Sequence, residues 1–232
     1  MSMRWLGMVL VAVLGWPAAA QRGGPPRGYE PPGVSVPKPE VIVLPSPNIG
    51  NRAEGVTVDT IVMHTTQLSL EDSLRVLTSG ASGVSTHFTI DRNGDIYEMV
   101  DLRARAFHAT YYNSRSVGIE MVGDANDPDT WTQENLAALY DLSAWLVAVF
   151  PDIPIEHPMG NAYDYPGDFY DEPGLVAHGQ IQPWNRTDPG PYFPWDEYVS
   201  EVEARVPEPG VGLAMALGWM AVGMRRGRAG TR

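Results

Sequence analysis

One short stretch of the chain, Val176 to Trp195, holds an imidazole, a guanidinium and a carboxylate within eleven residues: His178, Arg186 and Asp188. A second imidazole, His64, follows an apolar run far upstream. Two neutral imidazoles and one carboxylate are a ligand set for Zn²⁺ that leaves the fourth position open for water, as in catalytic sites. A surface loop with one buried, hydrogen-bonded His is the alternative interpretation, because ligands distant in sequence cannot be recognised from local spacing.

The stretch that carries these groups is rich in residues that interrupt regular structure. Gly or Pro stands at positions 179, 183, 189, 190 and 191. Pro removes a backbone donor and Gly adds conformational freedom, so the pattern predicts a stiff, irregular loop without a helix.

Apolar runs of strand length lead into the candidate ligands. Val56–Met63 is rich in β-branched residues and ends at His64, while Leu175–Ala177 precedes His178. Val117–Val122 predicts a further buried strand. The runs 86–91 and 95–100 flank Arg-Asn-Gly, which predicts a β-hairpin.

Three segments predict helices between these strands. The first begins after Ser69, a good N-cap, and ends near Gly80; the second and longest runs from Thr130 to Phe150, with apolar residues three and four positions apart. The third, Trp195–Val206, closes the fold. Strands alternating with helices around a hairpin predict a single α/β domain with a central mixed β-sheet flanked by helices.

Four motifs occur in the order found in a known family. These are His64 after a hydrophobic strand, THFTIDRNGDIYEMV, NSRSVGIEMVG, and HGQIQPWNRTDPGP with a His ten residues before its Asp. Over residues 46–206 the chain resembles the zinc-dependent N-acetylmuramoyl-L-alanine amidases, a group that includes phage-type amidases, anhydro-muropeptide amidases and peptidoglycan-recognition proteins. The resemblance implies the fold of that family and His64, His178 and Asp188 as the zinc ligands.

The resemblance also implies roles for other residues. Glu120 matches the family's general base, and Arg186 stands where the amidases usually carry a Lys that stabilises the oxyanion. His108 and Asn113 match positions in a segment that lines the substrate cleft. Thr86 replaces a catalytic Tyr of the phage-type enzymes, so more of the catalysis is assigned to Glu120. From the residues alone, Glu120 could instead be a strand Glu that faces solvent.

Both termini have the composition of processing segments. Residues 1–20 have a basic residue, an apolar run and small residues at the end, which predicts a secretory signal peptide. Residues 21–45 are rich in Pro and Gly and predict an extended linker. Residues 207–232 resemble a PEP-CTERM sorting signal, with Pro-Glu-Pro, an apolar run and a basic tail; an ordinary membrane anchor is the alternative.

Charge and cysteine content exclude several functions. The chain has a net charge of −12 and no Cys, so disulfides and thiolate chemistry are excluded. Residues 46–206 hold eight Arg and no Lys against 25 acidic residues, a net charge of −17. A surface this acidic repels polyphosphate, so we expect no nucleic-acid partner.

The leading hypothesis is an exported peptidoglycan amidase that cuts the bond between N-acetylmuramic acid and L-alanine. We expect Zn²⁺ as cofactor, peptidoglycan or muropeptides as substrate, membrane contact only through the terminal segments, and a monomer. One alternative is a peptidoglycan-binding module that has lost activity. Another is an interaction protein that uses the aromatic, acidic segment 152–173, which we interpret as an insertion beside the site.

Overall fold

A mixed β-sheet forms the centre of the computed structural model, which describes residues 33–207 of the chain. The strands, in chain order, are β1 (Ile42–Val43), β2 (Gly50–Asn51), β3 (Thr60–Thr65), β4 (Phe88–Ile90), β5 (Ile96–Glu98), β6 (Ala104–Arg105), β7 (Ser116–Met121) and β8 (Gly174–Ala177). Six of them form one sheet in the order β1-β5-β4-β7-β3-β8, while β2 and β6 form a separate antiparallel pair. Within the large sheet only β4 and β5 pair antiparallel, so the predicted mixed sheet is confirmed.

Four α-helices flank this sheet in the described part of the chain. They are α1 (Leu70–Leu77), α2 (Gln133–Val149), α3 (His178–Ile181) and α4 (Trp195–Arg205), and all but α3 lie where the sequence predicts them. The Ser69 side chain accepts a hydrogen bond from the backbone of Asp72, and so caps α1 as predicted. Helix α2 begins three residues later than predicted because residues 128–130 form a separate 3₁₀ turn.

Strands β3 and β7 lie at the centre of the sheet, and their side chains alternate between two faces. On one face Ile61, Met63, Val117, Ile119 and Met121 belong to the main core, which α2 and α4 complete. The period of two places His64 and Glu120 together on the opposite face. One face of the sheet therefore packs in the main core, and the other carries His64 and Glu120.

Segment 152–173 packs on that second face. Ala162 and Tyr170 join Val62, Val176 and Ile181 in a smaller buried cluster, and two 3₁₀ turns order the backbone between them. The segment thus supports α3, although Tyr163 and Phe169 remain exposed.

The structure corrects three sequence predictions. Strand β3 begins at Thr60 rather than Val56, and α3 is a helical turn where the Gly and Pro residues predicted none. The domain begins earlier than Ser46, because β1 pairs with β5 and Val36 is buried in the core. Lys38 also pairs with Glu98 at 2.8 Å, so the end of the predicted linker belongs to the domain.

The predicted signal peptide and the predicted sorting segment from residue 208 onwards lie outside the described residues. Within residues 33–207, no helix has the length and apolar character that a membrane crossing requires.

Candidate active site

Three side-chain atoms of the predicted ligand set meet at one point of the structure. The Nδ1 atoms of His64 and His178 lie 3.0 Å apart, and each lies 3.1 Å from Oδ2 of Asp188. All three residues are buried. The predicted ligands are therefore brought together, although they are up to 124 positions apart in the chain.

Hydrogen bonds alone cannot satisfy this triangle of atoms. The Asp188 oxygen can only accept a hydrogen bond. If both Nδ1 atoms carried a proton, two N–H groups would face each other across 3.0 Å. If only one carried a proton, the lone pair of the other Nδ1 would face the carboxylate. A cation among the three atoms pairs with every lone pair at once. Two imidazole nitrogens and a carboxylate oxygen are also the donor types that Zn²⁺ prefers. The residues present therefore fit a zinc ion.

The sheet topology explains why the ligands converge. Strands β3 and β8 are parallel neighbours, so His64 near the end of β3 and His178 just after β8 lie at the same sheet edge. The loop then returns Asp188, whose carbonyl accepts the backbone N–H of Gly179 at 2.9 Å. Gly190, with φ +99°, lets the loop approach closely, since a Cβ there would lie 2.0 Å from the Ala125 carbonyl oxygen.

Each imidazole ligand has a polar partner on its far side. Nε2 of His178 lies 2.9 Å from Oε1 of Gln182, and Nε2 of His64 lies 2.9 Å from Nδ1 of His108. An amide oxygen only accepts, so His178 donates from Nε2 and presents a bare Nδ1 to the ligand triangle. Sequence reasoning missed Gln182, because its i+4 spacing from His178 matters only if the segment is helical.

Glu120 lies beside the ligand triangle. Glu120 on β7 is the cross-strand partner of His64 on β3, and both residues line one cleft. Its Oε2 atom is buried and has no hydrogen-bond partner. Burial and the negative charge of Asp188 raise its pKa to about 8, while the positive charge of Arg186 opposes the shift. Glu120 therefore faces the cleft, half-buried, on the same side of the sheet as His64.

Burial also sets the charge state of the ligands. Burial, together with the charge of His178, lowers the pKa of His64 to about 4, although Asp188 opposes this shift. For Asp188, burial disfavours ionisation, but hydrogen bonds with His178 and His64 outweigh it and hold the pKa well below its usual range. A neutral imidazole at His64 and a carboxylate at Asp188 are the ionisation states that bind a metal.

A cleft of about 380 Å³ opens over these groups. Leu77, Val84 and Phe107 contribute apolar wall, and the segment Asn185–Asp188 forms the polar side. Arg186 lines the cleft and is exposed, and its guanidinium donates to the carbonyl of Asn185. The predicted Glu120 and Arg186 thus share one cleft with the three ligands.

The two residues predicted to bind substrate differ in position. His108 lines the cleft, whereas the cleft lining described by the structure does not include Asn113. The Oδ1 atom of Asn113 accepts the backbone N–H groups of His108 and Ala109 at 2.9 and 2.7 Å. Asn113 therefore holds the loop that carries His108, and substrate contact by either residue stays a prediction.

Other polar residues of the predicted motifs are structural. His87 is fully buried, and its Nδ1 accepts the backbone N–H of Gly118 at 3.0 Å, as a structural residue would. Thr86 is also fully buried and donates to the carbonyl of Gly118. Arg52 donates to four backbone carbonyls, those of residues 102, 113, 114 and 116, and so links the surrounding loops.

Comparison with known proteins supports the assignment of a family. A family model described as N-acetylmuramoyl-L-alanine amidase matches residues 54–191, more than half of the chain. N-acetylmuramoyl-L-alanine amidase A of Achromobacter lyticus is 33% identical over 147 residues, which span 60% of this chain and 79% of the relative. The 1,6-anhydro-N-acetylmuramyl-L-alanine amidases AmpD of Haemophilus influenzae and Escherichia coli are each 29% identical to this chain. The matches span 59% and 56% of the length of these two relatives.

Solved structures share the fold. A selenomethionine derivative of AmpD superimposes with a TM-score of 0.54 at 23% identity, over 72% of this chain and 95% of that structure. AmiD of Escherichia coli, in complex with the substrate anhydro-N-acetylmuramic acid-L-Ala-D-γ-Glu-L-Lys, gives a TM-score of 0.50 at 21% identity, over 70% and 64%. By the family match and the fold together, the chain belongs to the N-acetylmuramoyl-L-alanine amidase family of enzymes.

Proposed function

We propose that the chain hydrolyses the amide bond between N-acetylmuramic acid and L-alanine, with Zn²⁺ held by His64, His178 and Asp188 and with Glu120 as general base. One observation carries the proposal: three ligand atoms lie 3.0–3.1 Å apart in the floor of a cleft, beside a buried carboxylate oxygen without a partner. A carboxylate kept free of hydrogen bonds is available to take a proton from water in the cleft.

Zinc, when bound, lowers the pKa of a water molecule and polarises the carbonyl that is attacked. Glu120 would accept the proton of the attacking water and return it to the leaving nitrogen of L-alanine. Its raised pKa of about 8 favours the protonated form that must later donate. A divalent cation beside the carboxyl opposes that rise, so the resting group can still act as base at neutral pH.

The remaining cleft residues would bind and orient the substrate. Arg186 would stabilise the negative charge that develops on the attacked carbonyl oxygen, since it is the cation of the described cleft lining. Its planar fork differs from the ammonium of Lys, which affects the rate rather than the reaction class. The wall of Leu77, Val84 and Phe107 would contact the apolar parts of the substrate.

Peptidoglycan or a soluble muropeptide is the substrate class that we propose. AmiD, which shares the fold, is solved with an anhydro-muramyl peptide. The predicted signal peptide would bring this chain to the compartment that holds peptidoglycan, and the C-terminal segment would hold it at the membrane until processing. Export and sorting are proposals from sequence alone.

Product analysis tests this function. The purified protein is incubated with peptidoglycan, and the soluble products are examined by mass spectrometry. We expect stem peptides with a new L-alanine amino terminus and glycan strands that keep the muramic carboxyl group. Cleavage only between sugars, or only within the peptide, would contradict the proposed bond.

A further inference from the structure

We propose that His108 is a positioning residue that fixes the proton of the zinc ligand His64 on the ring nitrogen facing away from the metal. This role rests on the proposed zinc site and differs from the substrate contact predicted for His108. It follows from three successive polar contacts that link His64, His108 and Ser116 and end on the backbone carbonyl of Tyr112.

The far end of this chain of contacts determines its direction. The Oγ–H of Ser116 donates to the carbonyl of Tyr112 at 2.7 Å, and a carbonyl can only accept. The Ser116 oxygen therefore has a lone pair left for Nε2 of His108, which lies 3.2 Å away. His108 donates from Nε2 in this contact.

The same donor-to-acceptor direction applies to the hydrogen bond between the His108 and His64 rings. A neutral imidazole that carries its proton on Nε2 has a bare Nδ1, and Nδ1 of His108 lies 2.9 Å from Nε2 of His64. His64 must therefore donate from Nε2. Its own Nδ1 is left bare and points at His178 and Asp188, as a metal ligand requires. From Tyr112 to His64, each contact then pairs one donor with one acceptor.

The His108 ring is held in place by the strand beneath it. A Cβ at Gly118 would lie 2.7–2.8 Å from three atoms of the ring, so the ring packs directly against the backbone of β7. The side-chain oxygen of Asn113 also accepts the backbone N–H of His108, which anchors the backbone that carries the ring. The ring is thus fixed by its packing as well as by its hydrogen bonds.

The second zinc ligand shows what His108 contributes. His178 donates from Nε2 to the side-chain oxygen of Gln182, which leaves its Nδ1 bare in the same way. The two ligands therefore have equivalent supports, one an amide oxygen and the other an imidazole nitrogen. Without its acceptor, His64 can carry the proton on Nδ1, where it blocks metal binding.

A pair of variants of nearly equal shape tests this role. The side-chain oxygen of Asn can take the place of Nδ1 in His108→Asn, while His108→Leu has a similar outline and no acceptor. The dissociation constant for zinc is measured by competition with a chromogenic chelator. We expect His108→Leu to weaken zinc binding by about 10- to 100-fold, the usual effect of losing an outer-shell partner, and His108→Asn to stay within about threefold of wild type.

Circular dichroism and the melting temperature of the metal-free variants show whether both fold. Equal losses of affinity in both variants would overturn the proposal, since shape rather than the acceptor would then matter, and so would wild-type affinity in His108→Leu. Wild-type protein that binds no zinc would instead refute the proposed function.

A second measurement does not depend on the variants. Long-range ¹H–¹⁵N spectra of ¹⁵N-histidine-labelled, zinc-loaded wild-type protein report which nitrogen of each ring carries the proton. We expect His108 to be protonated at Nε2 alone. Protonation of His108 at Nδ1 would contradict the donor direction that starts at Ser116.

Discussion

Replacing Glu120 by Gln should abolish turnover and, at the same time, stabilise the metal-free protein. Gln is nearly isosteric with Glu but cannot transfer the proton, so we expect zinc to remain bound and turnover to fall at least about a hundredfold. The gain in stability arises because the wild-type carboxyl is buried without a hydrogen bond at Oε2.

The magnitude of this gain follows from the pKa of the carboxyl. In the folded, metal-free protein the pKa of Glu120 is raised to about 8 from the ordinary value of 4.5. The folded state then holds the proton more tightly than the unfolded state, so the free energy of unfolding falls as pH rises from 4.5 to 8. The cost is about 1 kcal/mol at pH 5 and roughly 3 kcal/mol at pH 7. The Gln variant does not incur this pH-dependent cost.

Calorimetry in the presence of a chelator measures the difference between wild type and variant. At about 2–4 °C per kcal/mol for a domain of this size, the advantage of Glu120→Gln in melting temperature should widen by roughly 4–8 °C between pH 5 and pH 7. Glu98→Gln is the matched control. Glu98 is also buried on the sheet but pairs with Lys38 at 2.8 Å, so this variant should lose stability and keep turnover.

Two results would refute this reasoning. A difference in melting temperature between wild type and Glu120→Gln that does not change with pH would mean that the pKa of this carboxyl is not raised in the folded protein. Near-normal turnover of the zinc-loaded variant would mean that another group takes the proton.

Three further predictions concern the ligands, the strand beneath His108 and the tail. His178→Ala should lose zinc and activity together, since the remaining pair does not complete a site; full zinc content by atomic absorption would contradict the ligand assignment. Gly118→Ala should displace the His108 ring, because the new Cβ would lie 2.7–2.8 Å from the ring atoms. We expect weaker zinc binding and a loss of about 1–3 kcal/mol in the free energy of unfolding, measured with denaturant. Unchanged zinc affinity would mean that this packing does not position the ring. Deletion of 208–232 should leave zinc binding and hydrolysis intact and move the protein from the membrane fraction to the soluble fraction; identical fractions for both forms would refute the sorting signal.

Local sequence patterns predicted the elements that carry the ligands. The apolar run before His64, the Ser69 cap and the Asn-Gly turn of the hairpin each act over a few residues, and the structure confirms all three elements. The family resemblance implied His64, His178 and Asp188 as ligands, and the structure brings these three side chains together.

Relations between distant segments could not be predicted in this way. The pairing of His64 with Glu120 depends on the register of two strands more than fifty residues apart, which no local pattern encodes. The helical turn at His178 forms despite the Gly and Pro residues around it, because packing of α3 in the smaller buried cluster stabilises this turn. Strand β1 could not be predicted from the sequence, because it lies in a Pro-rich segment and is a strand only through its pairing with β5.

Hydrolysis of a defined N-acetylmuramoyl-L-alanyl peptide tests the central claim most directly. The full chain is stripped of metal with a chelator, divided, and assayed by mass spectrometry with and without one equivalent of Zn²⁺. We predict free peptide with an L-alanine amino terminus only in the zinc-reconstituted sample, and none from the His64→Ala protein treated alike. Cleavage of that amide at the same rate in the stripped sample, or in the His64→Ala protein, would contradict a zinc-dependent amidase.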